Sequence, residues 1–278
     1  MSEAGPLIVV GPGRVGRSVA DALTRSARDV VLVGREPDPD PELLRRSDLT
    51  LLFTVPDDAL GGAAAAWAER LADVPDSGGR VALHSSGADG PEILFPLRGR
   101  GVSVAGWHPL VSVAEPNPDA LRGVTCVIRG ERAAVERGRR LAERVGAEPL
   151  PLGDVDGARY HAAAVFASNH LVACLAVAAE ELAAATDGAA GLEHLLPLAR
   201  SAVENVASRG LREGLTGPVL RGDVGSVRRH LEALPPARAA LYRELARELL
   251  ALAGDGTADE AHAELEALIG TRRTGRHE

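Results

Sequence analysis

Two short segments set hydroxyl groups and imidazoles where they could do proton chemistry: His84, Ser85, Ser86 and Gly87, then Trp107, His108, Pro109 and Leu110. A serine hydroxyl can hold a substrate oxygen, and an imidazole can give or take its proton near neutral pH. Plainer readings compete: a serine capping the helix after Gly87, and a histidine packed beside Trp107. No side-chain amine is available for such work, because all 31 basic residues are arginine. Cys126 and Cys174 each sit inside an apolar run without metal-ligand spacing, so both are expected in the core and no metal site is expected.

Alternating strands and helices must position these segments. Apolar runs at 7–11, 30–33, 49–55, 80–83, 102–105, 125–128 and 148–150 read as strands. Helical spacing follows Gly11, fills 57–71 and returns at 132–145. This order predicts an α/β fold with a doubly wound parallel sheet over residues 1–153. From about Asp156 the spacing is helical throughout, which predicts an all-helical domain over 154–270, with helices near 158–185, 193–208, 223–233, 237–252 and 258–269 and a tail at 271–278.

Gly11, Gly13 and Gly16 form G-x-G-x-x-G between the first strand and the first helix. The first glycine permits the turn, the second lets backbone approach a pyrophosphate, and the third lets helix and strand pack closely. Together with Arg14 and Val15, they are expected to bind a dinucleotide, with Val55, Pro56 and Asp57 of the next loop alongside. After the second strand, where an acidic residue would hold an NAD ribose, the chain reads Gly34, Arg35, Glu36. The glycine leaves room for a 2′-phosphate and the guanidinium can fork onto it, so NADP(H) is expected over NAD(H). The competing reading is a solvated Arg35 with Glu36 on the ribose.

The succession GPGRVG, TVPDDAL, HSSG, GWHPL, YHAAAVFASNH and LTGPVLRGD resembles a bacterial family of NADP-dependent oxidoreductases, in which a Rossmann-like domain precedes a helical domain of unknown function. The resemblance spans about Leu7 to Leu250 and extends more distantly to prephenate dehydrogenase, pyrroline-5-carboxylate reductase, ketopantoate reductase and the β-hydroxyacid dehydrogenases. By position in the prephenate dehydrogenases it implies that Ser86 and His108 bind or activate a substrate hydroxyl. The lysine that β-hydroxyacid dehydrogenases carry on the first helix after the Rossmann domain is missing, and His161 and Asn169 stand on the comparable helix. On an ideal helix His161 and Ser168 fall within about 20° of one face and Asn169 about 80° away. Ser168 and Asn169 could equally cap or bridge helices in the interior.

These readings converge on a hydride-transferring enzyme for a small carbonyl, imine or alcohol. A carboxylate on the substrate is expected because Ser85, Ser86, Gly87 and Arg221 offer anion-binding groups, and ketopantoate is one candidate. Arg221 could instead pin the turn that Gly217 and Pro218 set, with Asp223 capping the next helix. An NADP(H)-binding redox sensor without turnover is the alternative from another class. A net charge of -8 with scattered arginines gives no basic stripe for nucleic acid. No signal-type segment or uninterrupted apolar span stands out, so a cytoplasmic location without membrane partner is expected. The Ala- and Leu-rich helical half is expected to form a homodimer.

Overall fold

The computed structural model describes residues 5–24, 30–34, 39–76, 78–254 and 260–270. Arg35, Glu36 and the expected tail at 271–278 lie outside the described residues. The chain divides into two units, Met1–His170 and Leu171–Glu278.

In the first unit, seven strands form one sheet in the order 2-1-3-4-5-6-7. They are β1 (Leu7–Val10), β2 (Val30–Val33), β3 (Thr50–Phe53), β4 (Val81–His84), β5 (Ser103–Pro109), β6 (Thr125–Gly130) and β7 (Glu148–Pro151). Apolar residues fill both faces, as a doubly covered sheet requires. Leu7, Val9, Leu52, Leu83 and Trp107 pack beneath α1 (Arg14–Thr24) and α5 (Arg132–Arg144). Ile8, Val10, Leu51, Phe53 and Ala82 face the other way. After the short α2 (Pro41–Leu44), that face is covered by α3 (Asp57–Arg70), the 3₁₀ turn Pro91–Leu94 and α4 (Phe95–Arg98). The expected α/β doubly wound sheet is therefore present.

Its departure from parallel is β6, which runs antiparallel to β5 before β7 returns parallel to β6. That pairing also lengthens β5. The sequence predicts a strand ending at Ala105 and a loop from Trp107, but Trp107, His108 and Pro109 pair with Ile128, Val127 and Cys126 and remain in the sheet. His108 is thus held by strand hydrogen bonds rather than by a loop.

The edge of the sheet where the parallel strands begin is fastened by two arginines. Arg80 is almost fully buried, and its guanidinium donates to the carbonyls of Arg45, Arg46 and Pro75. Arg137 of α5 donates to the Asp48 carbonyl and Thr50 Oγ1. Each charge is satisfied by oxygen dipoles, as a buried cation requires.

α6 (Gly157–Val165) follows β7, with Asp156 accepting from the Arg159 N–H as its cap, and runs into a π-helical turn at Phe166–His170. The second unit holds α7 (Leu171–Ala185), α8 (Leu192–Gly214), α9 (Val224–Ala233), α10 (Pro236–Ala253) and α11 (Glu260–Ile269). Its core joins Val219, Val227, Leu231, Ala239, Ala246, Leu265 and Ile269. Asp223 caps α9 by accepting from the Ser226 N–H and Oγ, as its sequence position predicts. α8 extends past the expected end at Ser208 and breaks at Gly210, whose φ is 85°.

Candidate functional site

The glycine loop stands at the carboxyl end of β1, between β2 on one side and β3 on the other. This is the point where strand order reverses, and α/β sheets bind ligands there. Gly11 has φ 113°, and a side chain on it would meet the backbone of Thr54 and Val55 at 2.9 Å. At Gly16 a methyl would stand 2.1 Å from the Gly11 carbonyl oxygen and 2.4 Å from Thr54 Oγ1. The Thr54 hydroxyl itself donates to the Gly11 carbonyl at 2.8 Å, tying the end of β3 to the loop. By contrast Gly13 is exposed and meets only the Thr54 carbonyl, at 3.7 Å. Gly11 and Gly16 are thus required by packing, whereas Gly13 leaves backbone open to an approaching group. Gly16→Ala is expected to cost about 3 kcal/mol and lower the melting temperature by about 6 °C or more, while Gly13→Ala leaves it unchanged. Thermal melts of the two variants check this.

Charge separates the two helix starts at this edge. α1 opens with the exposed Arg14 and has no acid in its first turn, so its N-terminal N–H groups remain fit for an anion. α3 opens with Asp57 and Asp58 behind Pro56, which already answer its dipole. Of the loop Val55, Pro56 and Asp57, Asp57 is the member that acts at a distance, its charge opposing the fall in the His108 pKa.

At the ends of β4 and β5 the structure brings together Gly87, His108 and His161, all within the first unit. A methyl on Gly87 would lie 2.6 Å from His108 Cε1, 2.8 Å from its Nε2 and 2.9 Å from His161 Nδ1. The glycine is what lets both rings close over the turn. His108 Nδ1 shares a 2.6 Å hydrogen bond with the Tyr160 hydroxyl, their rings edge to face. Burial, helped by His161 and Arg129, lowers the His108 pKa to about 4, and burial pushes the Tyr160 phenol up to about 12. Near pH 7 the imidazole is neutral and the phenol protonated. His161 Nδ1 is buried without a hydrogen-bond partner. Tyr160 is absent from the residues singled out in the sequence; its signal is a phenol adjoining His161 on the helix that follows the last strand.

Ser86 is committed to the turn. Its hydroxyl accepts from the Ala88 and Asp89 N–H groups and donates to Asp89 Oδ2 at 3.0 Å. Ser85, half-buried, closes β4 through its own N–H to the Phe53 carbonyl. Two side chains fasten the turn from below. Arg129 Nη2 donates to the Asp89 carbonyl at 2.8 Å, and His84 Nε2 lies 3.1 Å from the Gly90 carbonyl. Both rise from strand positions flanking Gly106, whose missing side chain leaves them room. Buried His84 has its pKa lowered to about 4 and its Nδ1 without a partner. The Arg129 guanidinium lies 5.7 Å from the Tyr160 ring centroid.

Asn169 and Ser168 fall in the π turn, where the wider helical repeat replaces the 100° step that would set Ser168 beside His161. Ser168 Oγ lies within hydrogen-bond distance of the Ala164 carbonyl and Asn169 Oδ1, and Asn169 is exposed. Arg221 belongs to the second unit, exposed on the turn between Gly217 and Asp223.

Residues 124–249 match the family described as "Domain of unknown function (DUF2520)". No curated protein matches the chain by sequence. Among solved structures, a protein from Thermotoga maritima aligns at TM-score 0.67 and 22% identity, covering 89% of this chain and 98% of its own. A "putative NADP oxidoreductase" from Bacteroides fragilis aligns at 0.67 and 19% identity, over 90% and 99%. An imine reductase from Myxococcus stipitatus in complex with NADP+ aligns at 0.59 and 18%, over 92% and 98%. The chain thus shares the fold of these structures, a Rossmann-type sheet followed by a helical region, as the sequence resemblance implies.

Proposed function

We propose that this protein is an NADP(H)-dependent oxidoreductase that transfers hydride to or from a small carbonyl, imine or alcohol bearing a carboxylate, with ketopantoate among the candidate substrates. The observation that carries this reading is the His108 and Tyr160 pair at 2.6 Å, set on the same sheet edge as the glycine loop. The loop fits a dinucleotide, because Gly13 leaves open backbone and α1 presents uncompensated N–H groups beside Arg14. A bound nicotinamide would supply or receive the hydride.

The side chains then handle the proton. The protonated phenol of Tyr160 donates to His108 Nδ1, which leaves the imidazole's own proton on Nε2, beside Gly87 and His161. That proton passes to the substrate oxygen or nitrogen as Nδ1 takes one from Tyr160. The Arg129 guanidinium beside the ring stabilises the phenolate that this leaves. His161, with Nδ1 unengaged, supplies an acceptor at the same place. Ser86, held by its turn, positions Gly87 rather than reaching substrate. Asn169 is assigned to the margin of the substrate site, and Arg221 remains a carboxylate-binding candidate on its sequence alone. NADPH oxidation in the presence of a panel of 2-oxo acids and cyclic imines tests the reading, and no oxidation with any of them would sink it.

NADP(H) is favoured over NAD(H) through Gly34 and Arg35. Arg35→Asp is expected to weaken NADPH at least tenfold more than NADH, since it replaces a phosphate partner by a like charge. Fluorescence titration of both cofactors decides it: equal affinities in the unaltered protein would remove the argument.

A homodimer in the cytoplasm completes the proposal. The helical stretch Gly157–Ala185 has an 18-residue window of mean hydropathy 1.8, none of it buried, and is long enough to cross a membrane. Phe166 and Val172 are 67% and 65% exposed. Covering this stretch with a second copy accounts for its exposure without a bilayer.

A further inference from the structure

A cavity of about 550 Å³ lies beside the 86–90 turn, lined by Arg129, Gly130, Gly90, Glu92, Gly153, Asp154 and neighbours from the 88–91 and 152–158 segments. Arg129 is 9% exposed and forms no ion pair within 4 Å among the described residues. Of its five N–H donors, one is used, by Nη2 on the Asp89 carbonyl. A guanidinium this buried ordinarily has a carboxylate or several carbonyls around it. Arg80, buried at the opposite edge of the sheet, makes three such bonds. Arg129 instead lines a polar cavity with glycines on several sides, which leave backbone and space for a ligand.

We propose that this cavity binds a small monocarboxylate, with its carboxylate on the Arg129 fork. Rested on the oxidoreductase reading above, this makes Arg129 the residue that selects the substrate's anionic end, next to the Tyr160 ring it overlies. The selection for a single negative charge comes from Glu92 and Asp154, both exposed where the cavity is lined. They repel a second carboxylate or a phosphate while leaving the buried guanidinium to a monoanion.

Calorimetric titration of the cofactor-free protein with propionate, propionamide, succinate and inorganic phosphate tests the proposal. Propionate is expected to bind at least tenfold more tightly than each of the other three. Arg129→Gln is expected to abolish this preference, and Arg129→Lys, which keeps the charge and loses the fork, to reduce it severalfold. Because Arg129 also pins the Asp89 carbonyl, a variant that leaves it untouched is needed. A side chain on Gly153 meets nothing within 4 Å, so Gly153→Leu fills open space at the cavity wall. It is expected to weaken propionate at least tenfold with an unchanged melting temperature. Propionate binding no better than propionamide, or as tightly to folded Gly153→Leu, would overturn the site; tighter succinate or phosphate would overturn the choice of a monoanion. An NADPH titration run alongside separates the two readings: propionate bound without NADPH affinity leaves the cavity standing and removes the oxidoreductase.

Discussion

Tyr160→Phe is expected to lower turnover by about 10² to 10⁴, the range that a positioned acid or base contributes, while NADPH affinity stays within about twofold. The substitution removes one oxygen. With it goes the O–H that reprotonates His108 at Nδ1, across 2.6 Å. His108→Ala is expected to fall in the same range, since burial holds that imidazole neutral and it acts only by passing a proton through. Residues that act as one unit do not add their losses. The double variant is therefore expected to be no more than about threefold slower than the weaker single variant. Losses that multiply would mean two independent roles, and a Tyr160→Phe enzyme with full turnover would dismiss the relay. Apparent Michaelis constants that rise with turnover unchanged would instead assign both groups to substrate binding.

The second large effect is acid sensitivity of the fold. His84 and His108 titrate near 4 in the folded chain, against an ordinary value of 6.5, chiefly because burial disfavours the charged ring. Between these values the unfolded chain binds protons that the folded one refuses, so stability rises with pH across the window. It is fully present above about pH 6.5 and is lost as pH falls toward 4. Each histidine contributes about 3 kcal/mol at most, from 1.4 kcal/mol per unit. Urea denaturation at pH 7, 6, 5 and 4 is expected to show this fall. His84→Gln, which keeps a donor for the Gly90 carbonyl, should roughly halve the slope. Carboxylates such as Asp48, held low mainly by Arg46, act further down the scale, below their usual 3.8. A flat profile from pH 6.5 to 4.5 would mean that neither imidazole is kept neutral by the fold.

Much of this architecture is legible because its signals are local. A glycine that must take φ 113° and another whose methyl would overlap a carbonyl are fixed by a turn of six residues, Gly11 to Gly16, and a string reveals them. His108 is legible for a similar reason, as an imidazole placed at the end of an apolar run. The direction of β6 is not, because an apolar strand reads the same whichever way its neighbour runs, and the extension of β5 through Pro109 depends on that neighbour. Arg129 is hidden likewise: it stands next to last in TCVIRG as an ordinary charge near a strand end until the pairing sets it across from Gly106. Tyr160 is overlooked beside His161 because an ideal helix separates adjacent residues by about 100°, while Tyr160 reaches His108 and His161 reaches the Gly87 turn. The π turn at Phe166–His170, which no local preference in FASNH announces, departs from the ideal helical step from which the angles of Ser168 and Asn169 are read.

The two arginines at the far end of the sheet carry a further meaning. Arg80 and Arg137 clamp the loops where the parallel strands begin, with bonds that reach Arg45, Arg46, Asp48, Thr50 and Pro75 and none of the groups around Gly87. The opposite rim is open at Gly13 and Gly153, where a side chain would meet nothing closer than 3.7 Å. One sheet thus divides its labours between a conservative rim and a permissive one. Substitutions at Gly13 or Gly153 can therefore reshape what the open rim meets without touching the bonds that anchor the other end of the sheet.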